Sequence, residues 1–166
     1  MTVIAMTREM GTLGKEVARE FARLAGFTVV HHELVESATA SRAAADESEV
    51  DRFLEGSEAE LAKWRGNRAD GGVLTPLDVL KTALDWNVLI RGWGATRLLR
   101  SVPGILSVRV LAPIEFRVAQ IQERLGVDAR TAEQEIHKND AAHGRTFLRF
   151  FETDWRDASN YDLILN

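Results

Sequence analysis

Two glycines, a lysine and a glutamate spaced as Gly11-Thr12-Leu13-Gly14-Lys15-Glu16 could hold a polyphosphate. Such an anion needs several backbone N–H groups converging on it and the positive end of a helix dipole. Gly11 and Gly14 allow a tight turn and a close backbone approach. Lys15, where a helix begins, can reach the β- and γ-phosphates and neutralise charge that develops in transfer. Glu16 is the candidate Mg²⁺ ligand, directly or through water. A bare carboxylate beside a triphosphate would repel it, so that role requires the metal. The bland alternative is an acid favoured by the helix dipole.

Other charged residues could complete such a site. Arg145 and Arg149 lie four apart, on one face if the segment is helical, which suits two cations closing over phosphate. Lys138 and His143 extend that basic cluster, which could equally be a solvated face paired with Glu133, Glu135 or Asp140. Arg8 and Arg117 contact nucleotide or pair with local acids. His31 and His32 are adjacent on a strand and point apart, so they make no metal pair.

The elements around these residues alternate between strand and helix, which predicts a parallel sheet with crossover helices. Thr2 to Met6 reads as a strand buried on both faces. A turn follows from Thr7 to Gly14, then a helix over Lys15 to Ala25 that ends at Gly26. Val17, Phe21 and Leu24 are its expected core face. Further strands are expected at Phe27–His31, Val88–Ile90, Ser107–Ala112 and Tyr161–Leu165, with helices from Pro113 to Leu125 and from Asp128 to about His143. Residues 33–72 read as a helical insertion ending in a loop, and Thr75-Pro76 as a helix start. The last strand ends the sequence without the usual covering helix, so a fragment or a covering partner is expected.

The bulk properties narrow the classes. One domain of 166 residues with 45% hydrophobic content can bury a core. A net charge of −4 argues against broad nucleic-acid binding. No apolar run approaches a membrane span, and the N-terminus lacks a secretory pattern. With no cysteine and four histidines, thiolate metal sites are excluded, zinc is not suggested, and a reducing cytoplasm is expected. Small-molecule nucleotides are the expected partners, with the chain a monomer or weak homodimer.

Against the G-x-x-x-x-G-K-S/T pattern of phosphate loops, Gly14-Lys15 fits, but Glu9 replaces the first glycine and Glu16 the metal-binding hydroxyl. Thr7-Arg8-Glu9-Met10-Gly11-Thr12-Leu13-Gly14-Lys15-Glu16-Val17-Ala18 resembles the Ser-Arg-Glu-Tyr-Gly-Ser-Gly-Gly-Arg/Lys-Glu-Ile-Ala stretch of the cytidylate kinase-like proteins. In that branch of the P-loop nucleoside monophosphate kinases both glutamates belong to the signature. Asn87 to Ala95, Val108 to Pro113 with Phe116-Arg117, Lys138-Asn139-Asp140 with Arg145, Asp154-Trp155 and Tyr161 to Asn166 resemble further stretches. The likeness spans most of the chain outside about residues 40–75.

The resemblance implies an α/β, three-layer P-loop NTPase fold: a five-stranded parallel sheet, a helical NMP-binding insertion and a lid. The expected division is core 1–32, 76–125 and 158–166, insertion about 33–75 and lid about 126–150. It implies transfer of the ATP γ-phosphoryl group, with Mg²⁺, to a nucleoside monophosphate such as CMP or dCMP, with His32 as a candidate at the border of the acceptor pocket. Three departures stand out. Trp93 replaces the arginine that grips the acceptor phosphate, His143 replaces a lid arginine, and Arg91 stands where a small or apolar residue is usual. Trp93 can stack on a base but cannot form a bidentate phosphate contact. A non-catalytic nucleotide-binding module and a kinase of another metabolite therefore remain open.

Overall fold

The computed structural model describes residues 2–31, 87–92 and 94–166. The expected insertion, the helix start at Thr75-Pro76, His32 and Trp93 lie outside the described residues.

Five parallel strands form one sheet in the order β2-β3-β1-β4-β5. They are β1 (Val3–Arg8), β2 (Thr28–His31), β3 (Val88–Arg91), β4 (Ile105–Val110) and β5 (Leu163–Leu165). β1 lies between β3, with Val3 opposite Val88, and β4, with Val3 opposite Ile105. Strand order reverses at β1, and open α/β sheets bind ligands beyond the carboxyl ends of strands at such a point.

Alternation along β1 sends Val3 and Ala5 to one face and Ile4 and Met6 to the other. The first pair packs with Val88, Ile90, Ala95 and Leu99, the second with Ala18, Leu89, Val108 and Val110. The helices α1 (Gly14–Ala25) and α2 (Ala95–Leu98) therefore cover opposite faces. Two further helices, α3 (Ile114–Leu125) and α4 (Ala129–Phe151), pack together through Ile121, Ala132 and Ile136. The loop residue Met10 is buried in that same cluster at 3% exposure.

Two sequence expectations need correction. The buried residues of α1 are Gly14, Ala18 and Ala22, whereas Val17, Phe21 and Leu24 are exposed. Small side chains let the helix backbone approach the sheet closely, so the large apolar residues turn outward, where Phe21 meets Phe27 edge-on at 5.2 Å. The second correction concerns α4, which continues past His143 as one 23-residue helix to Phe151. Asp128 caps its start by accepting from the Thr131 amide at 2.7 Å. Near its end Phe147 and Phe151, one turn apart, pack at 4.8 Å. At the end of the sheet order, β5 is an edge strand whose Leu163, Ile164 and Leu165 are exposed.

The packing of α1 predicts an unusual mutational order. Ala18→Leu should destabilise by about 1–3 kcal/mol through overpacking, while Leu24→Ala, at a residue 70% exposed, should stay within about 0.5 kcal/mol. Urea unfolding of the two variants checks the assignment, and the reverse order would restore the large residues to the core.

Candidate functional site

The segment from Glu9 to Leu13 links the central strand to the first helix. The Glu9 amide donates to the Val110 carbonyl at 3.1 Å, prolonging the contact between β1 and β4. Gly11 then adopts φ +80°, and a Cβ there would lie 2.8 Å from the Arg117 carbonyl oxygen. A Cβ on Gly14 would fall 2.7 Å from Cδ of Arg8, whose side chain lies across the start of α1. Both positions require glycine on space alone, and Gly11 also on backbone conformation. Leu13 takes the left-handed conformation at φ 56° and is exposed.

Leu13, the N-cap residue of α1, leaves the helix without a side-chain cap of its own. The Thr12 hydroxyl donates to the Glu9 carbonyl at 2.8 Å, so it faces back into the loop. The first intrahelical bond runs from the Val17 amide to the Leu13 carbonyl. The initial turn of a helix therefore presents amides and a positive dipole end to whatever lies before it. Before it lies a cleft of about 400 Å³ bordered by Gly11, Leu13, Gly14, Lys15, Glu16 and Arg8 on the loop side. Residues of α3 close the other wall.

That wall contains groups the sequence reading missed. Gln120, Glu123 and Arg124 line the cleft from α3, Ile121 forms part of its floor, and Arg19 enters from the second turn of α1. The available signal was the four-residue spacing of Gln120 and Arg124, which puts both on one face of α3. Among the described residues lining the cleft, four cationic side chains meet two carboxylates, so its field favours an anion.

The remaining predicted residues fall elsewhere. Arg145 and Arg149 share one face of the continuous helix α4, both exposed, and neither borders the cleft. Arg91 is buried at 6% exposure at the end of β3, opposite Met6. Lys138 is exposed, with Glu135 at 4.0 Å. Asp140, far from being a surface partner, is buried.

Arg117 is buried and engaged on all three nitrogens. Its Nε donates to the Met10 carbonyl at 2.7 Å, Nη1 to Glu9 Oε2 at 3.1 Å and Nη2 to Asp140 Oδ1 at 2.8 Å. The other Glu9 oxygen accepts from Nη2 of Arg109 at 2.6 Å. Arg109 also donates to the Arg156 carbonyl at 2.9 Å and stands 4.8 Å from the Trp155 ring centre. Two guanidinium groups and two carboxylates thus form a buried set of zero net charge. Glu9, the odd residue against the phosphate-loop pattern, is its centre. Arg109 was legible as a charge inside a buried strand run, which demands a partner.

Two titrating groups border this set. Burial pushes the His143 imidazole from 6.5 down to about 4, opposed by Asp140 and reinforced by Arg109 and Arg8. His143 is therefore neutral near pH 7, packed 4.4 Å from the Trp155 ring, and does not act as a lid cation. Burial likewise raises the Tyr161 phenol to about 12, so its hydroxyl remains a donor to the Trp155 carbonyl.

Among the described residues no group of three His, Asp or Glu could hold a metal unaided. Mg²⁺ commonly uses one or two carboxylates together with substrate phosphates and water. Glu16, exposed at the cleft beside Lys15, fits that mode.

A parallel sheet whose central strand feeds a glycine-bearing loop and an uncapped helix, at the reversal of strand order, defines a P-loop kinase fold. Residues 3–166 match the cytidylate kinase-like family, and the chain belongs to that family. It is 29% identical over 87 residues to a cytidylate kinase from Thermococcus sibiricus (strain DSM 12597 / MM 739). That match covers 52% of this chain and 44% of the relative's length. An uncharacterized protein from Eubacterium ventriosum ATCC 27560 has a TM-score of 0.71 at 23% identity, over 99% of this chain and 87% of the other. A shikimate kinase from Bacteroides thetaiotaomicron follows the same fold, with a TM-score of 0.56 at 14% identity over 99% and 85% of the chains. No described helix is long and apolar enough to cross a membrane.

Gly11→Ala should cost about 1–3 kcal/mol, from left-handed strain plus the clash with Arg117. Gly126→Ala, at φ +65° with open space around it, should cost only about 1 kcal/mol. Equal losses in urea unfolding would remove the Arg117 contact as the reason. The His143 shift has its own consequence. The unfolded chain binds the proton more readily between pH 6.5 and about 4, so stability falls as pH drops through that window. The loss should be about 2 kcal/mol from pH 7 to pH 5. His143→Phe should remove this dependence, and an unchanged slope of unfolding free energy against pH would contradict it.

Proposed function

We propose that the chain transfers the γ-phosphoryl group of ATP to a nucleoside monophosphate, CMP or dCMP, giving ADP and the diphosphate. The observation that carries this reading is the uncapped start of α1 opening into a cationic cleft beside Lys15. Membership of the cytidylate kinase-like family supports both the kinase chemistry and a cytidine nucleotide as acceptor.

In this reading the amides from Gly11 to Glu16 cradle the phosphate chain, with Thr12 and Leu13 contributing backbone only. Lys15 holds the β- and γ-phosphates, Arg8 and Arg124 flank them, and Arg19 balances their charge. Glu16 would hold Mg²⁺, which when bound neutralises the phosphate oxygens and fixes their geometry. Phosphoryl transfer asks little covalent chemistry of the protein, so positioning and charge carry the rate. Arg145 and Arg149 are the cations that would close over the moving group, with α4 as the lid. His32, Arg91 and Trp93 are assigned to the acceptor side, Trp93 by stacking on the base. Arg117 is assigned to the loop instead, because its guanidinium is already engaged. The reaction would take place in the cytoplasm on free nucleotides, with the chain a monomer or weak homodimer.

A second reading rests on a specific observation: neither Arg145 nor Arg149 borders the cleft, and His143 is neutral and enclosed. A nucleotide-binding module without transfer would tolerate that. A coupled ADP-release assay over a panel of nucleoside monophosphates and hydroxylated metabolites separates the possibilities. Release that depends on CMP or dCMP, at about 1–100 s⁻¹, is the expected result. ADP release unaffected by every acceptor would remove the kinase reading, and dependence on another metabolite would relocate the acceptor. Lys15→Ala should raise the ATP Kd or lower turnover by at least about tenfold with an unchanged melting temperature. Binding and turnover both at the level of the unaltered protein would remove the phosphate loop from the mechanism.

A further inference from the structure

Glu9 is held from two directions, and both lead back to one helix. Its Oε2 accepts from Arg117, whose opposite nitrogen donates to Asp140 of α4. Its Oε1 accepts from Arg109, whose guanidinium stands over Trp155 at 4.8 Å, and Trp155 packs on His143 of α4 at 4.4 Å. Asp140 and His143 are three residues apart and so lie on one helix face. The neighbouring loop residue, Met10, is buried against Ile136 of α4 and Ile121 of α3. A carboxylate, a ring stack and an apolar plug therefore tie one face of α4 to the two residues that precede Gly11.

Net stability is not the usual contribution of such a set. Replacing a buried ionic set by apolar residues is often neutral or stabilising, whereas removing one member leaves an uncompensated charge. What the ring supplies is geometry: each guanidinium is planar and accepts few orientations, so fixing its outer partner fixes the Glu9 carboxylate. Because the Arg117 guanidinium also donates to the Met10 carbonyl, a shift of that group is a shift of the loop.

We propose that α4 sets the shape of the phosphate loop, with Asp140 and His143 as positioning residues that act through Arg117 and Arg109 on Glu9. This deepens the nucleotide reading of the cleft and rests on it for its kinetic consequence, though not for its structural one.

The test uses the whole chain carrying Asp140→Asn, which keeps side-chain shape and removes the charge. Two amides that close the ends of the loop report directly: Glu9 bonded to Val110, and Val17 bonded to Leu13. Their hydrogen exchange should accelerate by about tenfold or more, while the Leu111 amide, bonded to Leu165, keeps its rate. In kinetics, KM for MgATP should rise about tenfold with KM for the acceptor changed less than about twofold. A general loosening of the fold would move both constants and all three amides together, and would overturn the proposal. So would unchanged exchange at Glu9 and Val17 in the folded variant. Should Asp140→Asn fail to fold, His143→Gln breaks the other arm, with about threefold faster exchange at Glu9 expected and no change there again overturning it. If the unaltered protein binds no MgATP, the functional reading falls while the exchange result still decides the structural claim.

Discussion

A single carboxylate shared by two buried arginines fixes where the central strand, the loop and the helix behind it meet. Glu9 sits where the chain leaves the central strand, and its partners come from β4 and α3. An unpaired charge at such a depth would cost several kcal/mol. The strand, the loop and the helix must therefore meet at one point and in one orientation. Asp140 balances the second arginine, so α4 is drawn into the same requirement.

The arrangement explains how a phosphate loop forms without the usual first glycine. A glycine there would leave the loop's shape to its own backbone. Here the shape is imposed from outside, by Arg117 reaching the Met10 carbonyl and by Met10 entering the apolar cluster between α3 and α4. The loop itself then needs glycine only where Arg117 and Arg8 crowd it, at Gly11 and Gly14. The left-handed Leu13 shows that the surroundings hold the turn even where a side chain is unfavourable.

Stability and geometry come from different parts of the molecule. The two apolar clusters on either face of β1 bury the central strand, and such burial is a stabilising contribution. The ionic set fixes how the elements meet, because each guanidinium and carboxylate accepts few orientations. The loop beside the cleft is thus braced by polar contacts of exacting geometry, mounted on an apolar sheet. The neutral His143 belongs to the first category: it fills space against Trp155 where a charged side chain would face Arg109.

Local pattern sufficed for the alternation of strands and helices, the parallel sheet, the loop before α1 and the stop at Gly26. Each depends on neighbours within a few residues: apolar runs, glycine conformations and helix termini. The family signature likewise showed that Glu9 and Glu16 belonged where they stand. Periodicity misread α1, because Val17, Phe21 and Leu24 satisfy a helical stripe as well as the alanines do, and only the distance to the sheet decides which face is turned in. It also ended α4 too early, since the pairing of Phe147 with Phe151 depends on what surrounds them. The partners of Arg109, Arg117 and Asp140 lie 23 to 108 residues apart in the chain. No local rule pairs charges over such separations. The sequence by itself determined that a strand, a glycine-bearing turn and a helix would offer amides to an anion. Which groups brace that turn, and which line the cleft before it, were decided only when the folded chain brought distant charges within reach of one another.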